Sequence, residues 1–254
     1  MDKQIIFEKV KTARLQRFLN NCYSMDVVER CTNLWSSGDE FVLSYEDHGI
    51  QRLTFFAKSW ESLNELLKQI EDGHRYLEFM TKDPEAFIPN GFSLTARMMR
   101  LANPDCRSVF EEDSPVLQYR DPTIRENAGT EDAKEINRIL WNTFHTEISH
   151  LLTDEEVTER IRQFTIHRGN GLIDAVLQAD VMPKKYYINQ IVNKGEKKNI
   201  HALLLNGLEE YIAQGGKYLY AWVEDKNIAS QKFHQKYGMT HDGMWNMLYC
   251  LEKP

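Results

Sequence analysis

Asn227, Ser230 and His234 stand at i, i+3 and i+7, the spacing that places three polar side chains on one helix face. An imidazole there, with an ordinary pKa of about 6.5, can pass a proton to or from a reacting group near neutral pH. The face borders an apolar stripe of Ala229, Phe233 and Tyr237, so a histidine that only covers the rim of a core fits the same spacing. Tyr237 adds a phenol that serves either as a second proton donor or as a core ring. A base could be a water chain, or upstream His145 or Glu147, which otherwise are simply the solvated face of a helix. The run Tyr186 to Val192 carries Asn189 and Gln190 rather than a carboxylate, and neither amide takes a proton.

Other chemistry-bearing patterns are incomplete. Gly169-Asn170-Gly171 lacks the third glycine and following helix of a dinucleotide fingerprint, and Gly215-Gly216-Lys217 lacks the upstream glycine of a phosphate loop. No Gly-x-Ser-x-Gly nucleophile elbow occurs. His145 and His150 are five apart, which does not align two metal ligands on a helix. Cys22, Cys31, Cys106 and Cys250 lie far apart, a pattern of reduced thiols rather than of a zinc site or a disulfide framework. No metal is expected.

The elements that must position these residues follow from hydrophobic period. Leu15, Phe18, Leu19 and Cys22 form one helical stripe, and Val27, Val28, Cys31, Leu34 and Trp35 another. Strands are expected at Phe41 to Tyr45 and Ile50 to Phe56, then a helix capped by Ser59, a strand from Arg75 to Met80 and a strand-like segment ending near Leu101. Between Asn103 and Thr130 prolines and acids interrupt the period, which puts a domain boundary near residue 114. Thr130 then caps a long helix with Ile136, Ile139, Leu140, Phe144 and Ile148 inward, and Thr153 to Glu156 form a capping box for a second. Strands at Phe164 to His167, Leu172 to Gln178 and Tyr186 to Val192 precede a helix with Ile200, Leu203, Leu204, Leu208, Tyr211 and Ile212 on one face. A strand from Lys217 to Val223, the helix capped by Asn227 and closing strands from Met239 to Leu251 complete a mixed α/β (α+β) sheet covered by helices.

Composition narrows the classes. With 42% hydrophobic and 27% charged residues, the 254-residue chain is neither disordered nor fibrous and can bury one large core or two modest ones. No stretch of about 18 consecutive apolar residues exists, so no membrane span is expected. The start, Met-Asp-Lys-Gln-Ile-Ile-Phe-Glu, has no apolar run behind basic residues, and a cytoplasmic location is expected. A net charge of -7, with Lys194 to Lys198 as the longest basic cluster, argues against nucleic acid and is compatible with a cationic or amine substrate.

The order of elements, with the segment Tyr218 to Met239, resembles the GNAT acetyltransferase superfamily over about residues 116 to 254. That segment matches the family's strand, Asn-capped helix and aromatic-Gly-Phe ending, here Tyr237-Gly238-Met239. The family's pyrophosphate loop, usually Q/R-x-x-G-x-G/A, corresponds to Glu196-Lys197-Lys198-Asn199-Ile200-His201, where the Q/R and both glycine positions are replaced. Unpaired N–H groups and the dipole of a helix start can cradle a diphosphate without a particular side chain, while Lys197 and Lys198 add charge and Asn199 tolerates positive φ. A solvated basic loop before a structural helix is the alternative.

The resemblance implies an N-acetyltransferase in which a primary amine of a small molecule or peptide attacks the thioester of acetyl-CoA directly. It implies that the pantetheine arm pairs with the strand edge at Ile191, Val192 and Asn193. It places Lys197, Lys198, Asn199, Ile200, His201 and Asn227 at the cofactor, and puts His234 where the family has the tyrosine that protonates the leaving thiolate, with Tyr237 as substitute. A non-catalytic GNAT-like interaction or ligand-binding domain is the alternative. The first half, with hairpin, helix, strand and Asn90-Gly91-Phe92, looks like a degenerate copy without a basic or Gly-rich loop. Residues 1–114 are therefore expected to be a GNAT-like domain that binds no acetyl-CoA, 115–254 the acetyltransferase domain, and the protein a monomer or homodimer.

Overall fold

A computed structural model describes residues 2–71, 73–124 and 126–253, the side chains of Glu252 and Lys253 excepted. The chain forms two compact units, Met1–Arg97 with Thr146–His150 and Met244–Pro254, and Met98–His145 with Leu151–Gly243. These units do not coincide with a division at residue 114. Leu101, Cys106 and Val109 are buried in one core with Val116, Leu203 and Tyr237, and the Cys106 N–H donates to the Lys217 carbonyl at 2.7 Å. Between the prolines and acids of this stretch the chain makes short 3-10 turns, Cys106–Phe110 and Leu117–Tyr119, rather than a linker.

The first unit contains α1 (Lys3–Leu15), β1 (Leu19–Asn20), α2 (Asp26–Glu29), β2 (Cys31–Ser37), β3 (Glu40–Asp47), β4 (Ile50–Ala57), α3 (Trp60–Leu67) and β5 (Gly73–Thr81). β2, β3 and β4 are antiparallel neighbours, and β4 runs parallel to β5 at Arg52↔Tyr76 and Leu53↔Leu77. β5 then pairs antiparallel with Trp245–Lys253 of β12 (Thr240–Lys253), the last strand of the chain. Ser59 caps α3, its hydroxyl accepting from the Ser62 N–H, and Leu63, Leu66, Leu67 and Ile70 bury against Val42, Leu53, Phe55 and Leu77. Both expected N-terminal helical stripes differ from the structure. α1 ends at Leu15, the first residue of the expected stripe, and Arg17 at φ 59 turns the chain into β1; α2 stops at Glu29, and Cys31 to Trp35 are strand. Leu15 is itself exposed, so four apolar residues at helical spacing here are not one face.

The second unit takes the rest of β6 (Ser93–Asn103), then β7 (Glu126–Asn127), α4 (Ala133–Trp141), α5 (Asp154–Glu159), β8 (Phe164–Gly169), β9 (Leu172–Met182), β10 (Lys185–Asn193), α6 (Lys197–Ala213), β11 (Leu219–Glu224) and α7 (Ile228–Gln235). β7 to β10 form an antiparallel run, β10 is parallel to β11, and β11 is antiparallel to the Met98–Asn103 part of β6. One sheet face packs Ala175, Leu177, Ile188, Leu219 and Ala221 on Leu203, Leu204 and Leu208 of α6. On the other, Ile166, Val176 and Val192 meet Ile136 and Leu140 of α4 and Val157 of α5. α4 ends at Trp141, well short of Ile148, so His145 and Glu147 lie beyond it rather than on a helix. No helix of the described residues is long and apolar enough to cross a membrane.

Candidate active site

β10 and β11 hold together for a short distance only. Their parallel pairs are Tyr186↔Leu219, Tyr187↔Tyr220 and Ile188↔Ala221. Beyond that rung Gln190 to Asn193 pair with β9 alone, and Trp222 to Glu224 pair with β6 alone. A register shift between Ile188 and Gln190 leaves Asn189 outside the β9 ladder and bends β10 away. The facing edges, with Ile191, Val192 and Asn193 on one side, therefore carry main-chain donors and acceptors that an extended ligand can pair with.

At the end of β10 the loop before α6 is pinned from below. Lys194 and Gly195 donate their N–H groups to the Asp174 carbonyl at 2.7 and 3.1 Å, and a Cβ on Gly195 would run into the Asp174 carboxylate. Glu196 caps α6 without a side-chain hydrogen bond, so the first-turn N–H groups of Lys197 and Lys198 are left for another acceptor. Lys198 pairs with Glu196 at 3.1 Å. Lys197 instead meets Lys236, just past α7, within hydrogen-bond reach, and that contact, some burial and the repulsion between the two ammonium groups push the Lys236 pKa down. Two cations drawn together at a helix N-terminus suit an anion of more than one charge. Lys236 was not marked by sequence reasoning; only its place one helix turn past Lys232 distinguishes it, and its partner is 39 positions away.

Several expected site residues point elsewhere. Asn199 is helical, so its tolerance of positive φ is unused; its amide lies 3.1 Å from His167 Nδ1, which lies 2.6 Å from the Asp174 carboxylate. Ile200 and His201 face inward. His201 is stacked between Tyr119 and Phe233 at 4.4 and 4.8 Å, its Nδ1 is 2.7 Å from the Tyr237 hydroxyl, and burial with repulsion from Lys236 and Lys197 drives its pKa down to about 4. It belongs to the core, so only its backbone remains near the loop. Tyr237 is likewise a core ring, fully buried, with a phenol pushed well above 10 by burial.

His234 is buried as well. The ring is 5% exposed, and burial lowers its pKa to about 4, against the raising effect of its bond to the Ser230 carbonyl. At neutral pH it carries one proton, on Nδ1, which it donates to that carbonyl at 2.8 Å, while Nε2 is a buried lone pair without a partner among the described residues. A neutral ring so committed is a poor donor to a thiolate. Asn227 uses its side-chain oxygen to cap α7, accepting from the Ser230 N–H at 3.0 Å.

The first unit repeats the arrangement but fills it. β4 and β5 part after Leu53↔Leu77, and β1 pairs with β4 at Leu19↔Ala57 and Asn20↔Phe56. Asn21 then bridges the parted strands: its amide donates to the carbonyls of Leu53 and Glu78 at 2.9 and 2.7 Å, and its oxygen accepts from the Phe55 N–H at 2.8 Å. The gap that stays open in the second unit is thus occupied here by the chain itself.

No family sequence model matches the chain, and no curated protein is similar to it in sequence. Solved structures resemble it in fold. A GCN5-related N-acetyltransferase from Sphaerobacter thermophilus matches with a TM-score of 0.56 at 9% identity, over 83% of this chain and 76% of its own. An acetyltransferase of the GNAT family from Colwellia psychrerythraea matches with 0.54 at 12%, over 87% and 84%. A tandem GNAT protein from the clavulanic acid biosynthesis pathway matches with 0.55 at 12%, over 86% and 82%. Identities this low speak for architecture, and so does the parted parallel pair before an Asn-capped helix: the chain has the fold of the GNAT acetyltransferases.

Proposed function

We propose that this protein is an acyl-CoA-dependent N-acyltransferase, working with acetyl-CoA on a primary amine, with one active site in the second unit. The observation that carries this reading is the opening between β10 and β11 beyond Ile188↔Ala221. An amide-rich pantetheine arm is chemically a strand and suits the edge at Ile191, Val192 and Asn193. Lys197, Lys236 and the first turn of α6 would hold the diphosphate by charge and main-chain N–H groups, a fit that needs none of the missing loop glycines. A main-chain N–H of the parted strand near Asn189 is suited to hold the oxygen that gains charge as the amine attacks. The cysteines are free thiols, as in a reducing cytoplasm.

Isothermal titration of acetyl-CoA into the whole chain tests the proposal. One site per chain is expected, because Leu19 to Asn21 fill the corresponding gap of the first unit. No heat at millimolar ligand would remove the acyl-transfer reading. The Asp174 carboxylate beneath Gly195 favours a second reading, a ligand-binding domain without transfer. Binding of acetyl-CoA with no release of free thiol in the presence of amines would favour it.

A further inference from the structure

β9 presents a carboxylate where its neighbours have committed their polar groups. Ala175, Leu177 and Ala179 enter the core beneath α6, so Gln178 and Asp180 lie on the opposite face of the strand. Gln178 is buried, as is its register partner Gln190, and its amide reaches Gln163 at 3.5 Å. Asp180 is half-buried, and its carboxylate makes no hydrogen bond or ion pair with any described residue. Its cross-strand partner is Tyr187, whose own partner on β11 is Tyr220, and the two rings stack at 4.7 Å and 10°. The next rung, Ile188↔Ala221, is the last before the strands part. Trp222 lies on the same face of β11 as Tyr220, just beyond that rung. The same position of the first unit differs. There Tyr45 faces Arg52, and Arg52 is locked to Asp47 at 2.8 Å, so no carboxylate is left over.

An unpaired, half-desolvated carboxylate beside aromatic faces, one rung from the opening, has the chemistry of a receptor for ammonium. We propose that Asp180, walled by Tyr187 and Tyr220, receives the acceptor, and that the acceptor class is an alkylammonium on an apolar or aromatic body rather than a weakly basic arylamine. The assignment rests on the acyl-transfer reading and names its second substrate. Burial raises the Asp180 pKa, against the lowering effect of Arg160, which makes the carboxylate a better proton acceptor than a solvated one. The ammonium gives one proton to Asp180, and the freed lone pair forms the C–N bond at the thioester carbonyl. The C–S bond breaks with its electron pair on sulfur, the second nitrogen proton passes to that thiolate, and Asp180 returns its proton to water.

The test is titration calorimetry of 2-phenylethylamine and its neutral counterpart 2-phenylethanol against the whole chain and Asp180→Asn. The amine is expected to bind the native chain at least roughly tenfold more tightly than the alcohol, and to lose that advantage in the variant. Asp180→Glu, which keeps the charge, should retain it, and Asp180→Ser replaces the Asn variant if that one does not fold. Equal affinity of the amine for native and neutral variants, or no preference over the alcohol, overturns the assignment. Acetyl-CoA titrated into the same proteins separates the two readings. Failure to bind the native chain removes acyl transfer, whereas an acetyl-CoA affinity that falls with Asp180→Asn as far as the amine's removes Asp180 from the acceptor side.

Discussion

Replacing Asn21 by Ala should destabilise the first unit far beyond what one half-turn of loop suggests. The amide makes three hydrogen bonds across the gap, to the Leu53 and Glu78 carbonyls and from the Phe55 N–H, and the residue is 7% exposed. At about 1 kcal/mol net per bond the loss is ~3 kcal/mol, with a further penalty because Leu53 and Phe55 are buried and water reaches their stranded groups poorly. For a chain of this size that is a fall in Tm of roughly 6 to 12 °C. Trp35, Trp60 and Trp245 report on the first unit and Trp141 and Trp222 on the second, so urea unfolding of single-Trp versions tells which unit gave way. The expected result is an early transition seen by Trp60 and an unchanged one seen by Trp222. A loss below about 1 kcal/mol, or equal loss in both reporters, would refute the claim that Asn21 closes the gap. Acetyl-CoA stoichiometry should stay at one, since Leu19 and Asn20 still pair with β4.

His150 sits between Asp47 and Glu78 at 2.9 Å each; burial opposes its charge, but these bonds outweigh it and raise its pKa to about 9, while both carboxyls are held below their usual range. A raised histidine contributes below its unfolded pKa of about 6.5 and is lost as pH rises through about 9, so His150→Gln should flatten the alkaline decline of stability, by about 1 kcal/mol at most because the ring is half exposed. The carboxyls work in the other direction, contributing above about pH 4 and lost on acidification, which unfolding midpoints across pH would trace as a separate acid limb. Lys236→Met should weaken acetyl-CoA binding roughly tenfold while leaving Tm unchanged or slightly higher, because it removes a like-charge contact; calorimetry and thermal shift read the two effects separately. His234→Gln should keep the single-turnover rate of bound substrate within roughly threefold, and a loss of a hundredfold or more with cofactor affinity intact would restore the ring as the acid.

Much of the second unit was legible because each signal was local. Thr153 caps α5 and Asn227 caps α7 as their spacing suggested, and the apolar face of α6 is the buried one. The first unit misled where a four-residue stripe at helical spacing turned out to combine an exposed Leu15, a left-handed Arg17 and a two-residue strand. Spacing placed His234 and Tyr237 on a helix correctly but did not say how deeply the helix would sink, and depth decides whether such a ring titrates near neutrality. Asp180 left a trace, an acid on the same strand face as Gln178 at the end of a stretch otherwise apolar from Ala175 to Ala179, which the strand's alternation flags. Asn21 left none. Its role exists only once two strands 25 positions apart have diverged on either side of it, from Leu53 to Glu78.

The interleaving of the two units reverses the usual order of assembly on the ribosome. The N-terminal unit needs Trp245–Lys253 to cover β5, and buries Met247, Tyr249 and Leu251 from that strand in its core. Its hydrophobic interior therefore stays incomplete until Trp245–Lys253 has been synthesised. The C-terminal unit, bounded by Met98 and Gly243, has every strand it requires beforehand. During synthesis the nascent first unit must keep Val42, Phe55 and Phe79 unaggregated while the whole of Met98–Gly243 is made.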